Sequence, residues 1–275
     1  MNTSSRTCSR STWSVQGPIG ERRKAALMQE EHMLRFITYL CPGLPVEILE
    51  AIASHVGRQL GCSTSLVVDA RTSGPTRAGD DPFSTAEADV GFLCAPPFIW
   101  LRDRSDPPVE LLGAAPVFDD DRTGGEPVYF SVVIARRQSP SRTFEDLVRG
   151  TWAYNDECSL SGYYSLLEKF AELTADSEAV SMFRSGSHLD SIELVAGGAA
   201  SAAAIDSNVL ALHLARNPEL RAQLRVVETL GPYPIQPIVV RSRLDEWVKT
   251  GVRECLLSWS TTAAGREDLS ALGLK

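Results

Sequence analysis

The chain has 275 residues, 43% of them apolar and 23% charged, with a formal net charge of −8. That balance describes a globular chain with a sizeable core, and its acidity, without any Lys/Arg stripe, excludes general nucleic-acid affinity. The apolar runs are too short to cross a membrane, and the first residues lack the apolar core of a secretory signal, so a cytoplasmic address is expected.

Residues 1–32 carry many Ser, Thr and Arg residues and read as a flexible leader, a composition shared with transit peptides. Arg35 to Leu40 reads as a strand, followed by a Cys-Pro-Gly turn. A helix follows whose buried stripe is Val46, Leu49, Ile52, Ala53, Val56 and Leu60, closed by Gly61. Ser65 to Asp69 is a second strand, so the opening is a βαβ unit with a parallel sheet. After a polar loop, Ala88 to Cys94 is a buried strand, and the next turn and short helix present Phe98 and Trp100 to core or pocket. Val109 to Pro116 is read as a strand. Asp119, Asp120 and Asp121 lack metal-binding spacing and mark a solvated turn.

Tyr129 to Ala135 is a strongly apolar strand, and Ser139 to Gly150 is a capped helix in which Thr143 with Asp146 fits a capping box and Gly150 the stop. Trp152 to Tyr154 is a short strand ending on Asn155 and Asp156. The helix after it buries Tyr163, Leu166, Leu167, Phe170 and Leu173, with Ser159 or Ser161 as its cap. A helix start offers unpaired N–H groups and a positive dipole end, which suits an anion, while Gly162 permits close backbone approach. Phe183 begins another strand-like piece. Ser187 and Asp190 repeat the capping-box spacing, with His188 at the threshold of the helix that follows. Ala199 to Ile205 is a small-residue strand ending on Asp206, which heads a helix over Val209 to Ala215. Leu224 to Thr229 is a strand, GPYPIQP reads as a hinge or rigid linker, and Ile238 to Val240 is the last strand. An amphipathic helix over Leu244 to Ser258 precedes a weak tail.

Strands alternating with helices define an α/β protein, in which ligands gather beyond the carboxyl ends of the strands. Ser159, Ser161, His188 and Asp206 all fall there. Each also has a plainer use as a helix cap or loop residue. The six cysteines show no CxxC pair or zinc spacing, and free thiols in a reducing compartment are expected. Cys158, at the start of a helix, is a conceivable nucleophile.

Five segments together resemble the phosphate-, phosphite- and phosphonate-binding proteins of bacterial ABC importers: VGFLCAPPFIW, EPVYFSVVIAR, TFEDLVRGTWAYNDECSLSGYY, FRSGSHLDSIELVAGGAASAAAID and PIQPIVVR. The resemblance implies a two-lobed type II periplasmic-binding-protein fold, each lobe a mixed sheet flanked by helices, with a ligand cleft between them. Lobe I would comprise residues 33–127 plus 236–275, and lobe II residues 128–235. The ligand roles implied fall on Ser159, Leu160, Ser161 and Gly162 at a helix start, on His188 as a donor to an anion oxygen, and on Phe98 as a wall from the opposite lobe, with Asp206 beside them. Leu160 stands where the family has a threonine, and Phe98 lacks the hydroxyl of a tyrosine often found there. Asn208 and the neutral PYPIQP segment stand where acidic residues would hold an ammonium group, which disfavours an aminoalkyl substituent.

The expected function is binding of a small tetrahedral oxyanion by a monomer with no cofactor or metal and no membrane insertion, and the resemblance adds an importer permease as partner. The alternatives are an intracellular cofactor-biosynthesis enzyme on the same fold, using Cys158, His188 and Asp206, and a sensory domain that has lost transport function.

Overall fold

The computed structural model describes residues 33–79, 81–173 and 180–275; the leader expected over 1–32 lies outside them. The chain opens with β1 (Met33–Thr38), α1 (Val46–Leu60), β2 (Ser63–Val68), β3 (Val90–Phe92), α2 (Ala95–Arg102) and β4 (Val109–Leu111). It then runs through β5 (Val128–Arg136), α3 (Phe144–Leu147), β6 (Thr151–Tyr154), a π-helical turn (Leu160–Tyr164), α4 (Ser165–Leu173) and β7 (Ser181–Arg184). Next come α5 (His188–Gly197), β8 (Ala202–Asp206), α6 (Ser207–Arg216), α7 (Pro218–Gln223) and β9 (Leu224–Pro234). The chain closes with β10 (Ile238–Arg241), α8 (Glu246–Trp259) and α9 (Ala263–Ala271).

Two mixed five-stranded sheets result, in the orders β2-β1-β3-β10-β4 and β7-β6-β8-β5-β9. In the first, β1, β2 and β3 are parallel and β10 is antiparallel to β3 and β4. In the second, β6, β7 and β8 are parallel and β5 is antiparallel to β8 and β9. The chain therefore crosses between the sheets twice, from β4 to β5 and back from β9 to β10. These crossings divide the molecule into two lobes, one around each sheet, joined side by side.

The apolar runs become strands because both faces of each sheet are covered. Val90, Val133, Ala203, Ile205 and Val239 have no exposed surface at all. One apolar cluster is continuous through both lobes: Phe36, Ile52 and Val56 in the first join Val132, Ile192 and Ile205 in the second by way of Leu44, Val209 and Ile235. A second cluster in lobe II packs Phe144, Trp152 and Phe170 together, with Trp152 and Phe170 edge to face, and the Trp152 indole N–H donates to the Leu147 carbonyl at 2.9 Å.

Three segments differ from their sequence reading. GPYP is not a linker but the end of β9, paired Tyr129 to Tyr233 and Val128 to Pro234. It lies on an edge strand, where a missing proline N–H leaves no neighbour unpaired, and register shifts in β5 take up the irregularity. The helix expected from Ser139 shrinks to one turn behind the Thr143–Asp146 capping box. The tail, too poor in apolar residues to show a periodicity, forms α9, capped by Thr262 and followed by an antiparallel bridge from Leu274 to Phe118.

Candidate functional site

β6 ends at Tyr154, and Asn155 and Asp156 turn the chain into the loop before α4. Ser159 is the cap: its Oγ accepts the Gly162 N–H at 3.0 Å. The next turn is π-helical, a wider coil that shifts one carbonyl out of its usual pairing. The Ser161 carbonyl instead accepts the hydroxyls of Ser131 on β5 at 2.7 Å and Ser165 at 2.6 Å. One strand and one helix thus fix this peptide, and the Ser161 hydroxyl lines the space between the lobes.

The second turn comes from β7. Ser187 caps α5, its Oγ accepting the Asp190 N–H at 3.0 Å, so His188 is the first helical residue. Its Nε2 lies 3.3 Å from Ser161 Oγ, while its Nδ1 is buried without a partner. Part of the His188 residue surface remains open, but the ring is packed by protein, and this desolvation lowers its pKa to about 4. The imidazole is therefore neutral at physiological pH, and a charge-assisted bond from it requires an anion to draw a proton on. Of the first N–H groups of the π-helical turn and of α5, those of Leu160, Gly162 and Asp190 are taken by Cys94, Ser159 and Ser187, and the others have no intrahelical acceptor.

Across the cleft, Ser73, from the loop after β2, faces Asp156. Asp156 Oδ1 accepts the Ser73 N–H at 3.1 Å and Oδ2 accepts its hydroxyl at 2.7 Å, while the Asn155 amide donates to both Asp156 Oδ2 and Ser73 Oγ. The Leu160 N–H donates to Cys94 Sγ at 3.2 Å, and Arg184 reaches the Arg71 carbonyl at 2.5 Å. Trp100 meets Tyr164 edge-on at 6.5 Å. The lobes are closed on one another around a void of about 40 Å³, lined among others by Tyr39, Thr72, Ser73, Ser159, Ser161 and His188. A water needs roughly 10–15 Å³ of such space, so the void suits a few waters or one small anion.

Of the residues singled out in the sequence, Ser159, Ser161, His188 and Asp206 line this one void. Asp206 ends β8 and caps α6, its Oδ1 accepting from Asn208 N at 2.7 Å and Val209 N at 3.3 Å. Burial raises its pKa to about 6, against the bonds from α6 and Gln236 that favour its charge. Phe98 is not a cleft wall: it packs in lobe I with Leu93, Leu101 and Val109, because its helix turns that face toward the sheet. Leu160 contributes a backbone N–H to the lobe contact. Gly162 answers to a protein neighbour, since a Cβ there would sit 1.9 Å from Asn155 Oδ1. Cys158 is 3% exposed, and burial pushes its thiol up to about 12, with Asp156 adding to the effect; it is not a thiolate nucleophile. Sequence reasoning missed Tyr39, Thr72, Ser73, Cys94, Asn155, Asp156 and Gln236 as cleft residues. Their position just past strand ends is the available signal, but it is shared with many loop residues.

Two α/β lobes linked by two crossings, with parallel strands delivering helix N-termini to a shared cleft, define the class of type II periplasmic binding proteins. A family profile described as "ABC transporter, phosphonate, periplasmic substrate-binding protein" matches residues 45–275, and the chain belongs to that family. Among solved structures it is similar to a binding protein component of an ABC phosphonate transporter from Pseudomonas aeruginosa, with a TM-score of 0.73 and 21% identity over 89% of this chain and 80% of that one. PhnD1 from Prochlorococcus marinus, solved in complex with methylphosphonate, gives 0.66 and 16% over 88% and 90%. A mutant of ArgBP from T. maritima gives 0.61 and 17% over 90% and 98%.

The family corrects one expectation. Its members are periplasmic substrate-binding proteins of ABC transporters, not cytoplasmic proteins and not enzymes. The cytoplasmic reading rested on the missing apolar core of a signal, a property of the leader and not of the folded domain. The free thiols need another reason than a reducing compartment. Cys41, Cys94, Cys158 and Cys255 are all buried, which withholds them from oxidation, and Cys62 is half-buried.

Proposed function

We propose that the cleft closes on one small tetrahedral oxyanion, phosphate, phosphite or an alkylphosphonate, and that the closed monomer presents it to an importer permease. The observation that carries this reading is the convergence of Ser161 and His188, 3.3 Å apart at the starts of two helical segments, on a void the size of a small anion. Ser159, Ser161, His188 and the N–H groups around them are the donors. Hydrogen bonds to a charged group contribute about 1.5–3 kcal/mol each, so three or four support micromolar binding after ordering costs.

Phosphate, phosphite and methylphosphonate should each be titrated into the purified protein while its melting temperature is followed. A ligand at ~100 times its dissociation constant adds about 2.7 kcal/mol, an easily measured rise. Ser161→Ala and His188→Ala should abolish the rise while leaving the unliganded protein folded. A flat melting curve with all three anions would overturn the reading.

A further inference from the structure

Lobe I holds a second void, outside the cleft, of about 200 Å³. Ile52 of α1, Leu257 and Trp259 of α8 and Leu269 of α9 meet there with Ala115 and Val117, which lie on the crossing from β4 to β5. The void shares no lining residue with the cleft and differs from it in chemistry. An apolar cavity of about 150 Å³ already takes a benzene ring, so a ring with a short substituent fits this volume. Lys275 is the one charged side chain among the described residues of its wall, and its ammonium is paired with Asp119 at 2.7 Å. A charged molecule entering would lose its water without gaining a counter-ion, so the wall favours neutral ones.

Trp259 supplies the specific feature. It is 6% exposed, and its indole N–H is buried with no acceptor among the described residues. Trp152, buried as deeply, donates to the Leu147 carbonyl, so an unpaired indole is not the habit of this chain. The ring of Trp259 is not free to turn in search of a partner. It stacks on His55, with centroids 3.9 Å apart and planes 10° from parallel, and His55 is held in turn by a contact of 3.3 Å between its Nε2 and the Cys255 carbonyl. An indole N–H can only donate, and a buried donor left unpaired is costly, so a molecule that brings an acceptor is favoured over one that does not.

We propose that this void is a second binding site, for a compact neutral molecule: an apolar ring or branched chain bearing one acceptor oxygen, such as a ketone or ester carbonyl, with the Trp259 N–H as its donor. Apolar walls supply the contact area, and the single donor fixes the orientation. The site is independent of whatever the cleft holds.

The test is an NMR titration of the full chain, labelled at methyl groups and at nitrogen, with acetophenone and with ethylbenzene, which match in shape and differ in the carbonyl acceptor. Acetophenone is expected to shift the methyl signals of Ile52, Leu257 and Leu269 saturably and to move the Trp259 indole N–H signal. It should bind roughly two- to tenfold more tightly than ethylbenzene, the range that one neutral hydrogen bond contributes. In Trp259→Phe, which keeps a ring against His55, that preference should vanish. Equal affinity for the two probes in the wild type, shifts that avoid these three methyl groups, or a preference that survives Trp259→Phe overturns the proposal. Should Trp259→Phe fail to fold, the wild-type comparison and the indole signal decide it alone.

Discussion

Asp206 and His188 are both held away from their ordinary protonation behaviour by burial, in opposite directions. For Asp206 the folded pKa, about 6, lies above the ordinary 3.8, so its contribution favours folding below pH 3.8 and is lost as pH rises through 6. The full change from 3.8 to about 6 is worth on the order of 3 kcal/mol. Asp206→Asn should therefore gain stability relative to wild type as pH is raised from 4 to 7 and hold that gain above it, as read by urea denaturation at each pH. For His188 the folded pKa is depressed, so its contribution is present above the ordinary 6.5 and lost as pH falls toward 4. Gly162 is constrained as firmly. Because an alanine Cβ would overlap the Asn155 amide, Gly162→Ala should cost about 1–3 kcal/mol and loosen the Asn155–Ser73 contact, measurable by thermal denaturation.

The π-helical turn is the element on which the site depends. Its wide coil turns Ser161 toward His188, at the expense of a carbonyl that two serine hydroxyls must satisfy. The paired substitution Ser131→Ala with Ser165→Ala leaves that buried carbonyl without its hydroxyl donors. It should destabilise the protein by about 1–3 kcal/mol and weaken anion binding although neither side chain lines the void. Unchanged affinity and stability in calorimetry would show that the turn does not need this support. β9 supplies a second lesson at this scale. Three prolines in seven residues argue for a linker, yet two of them, Pro232 and Pro234, lie in β9, on the edge of a sheet where a strand tolerates a missing N–H.

At the scale of the molecule, the contacts between lobes are both polar and apolar. Ser73, Asn155 and Asp156 form the polar closure, while Leu44, Val209 and Ile235 carry the core from one lobe to the other. Removing the polar set while sparing the apolar one should shift the unliganded protein toward an open arrangement by a hinge motion. Asp156→Ala is therefore expected to enlarge the radius of gyration in small-angle scattering and to lower anion affinity about tenfold or more. A radius equal to that of wild type would place the closing force elsewhere.

The alternation of apolar runs and capped helices was enough for the sequence alone to determine the α/β class, most of the strand positions and the two helix starts that carry Ser161 and His188. Capping and burial periodicity are local, so a window of ten or fifteen residues contains them. What brings Ser73 to Asp156, or Cys94 to Leu160, is a distance of 83 and 66 residues along the chain, and no local pattern records it. Phe98 shows the same limit: its apolar character was legible, but whether that face meets the sheet or the cleft depended on how α2 packs. Only the tertiary structure decided which polar groups share the void, because burial and hydrogen-bond partners are properties of neighbours in space.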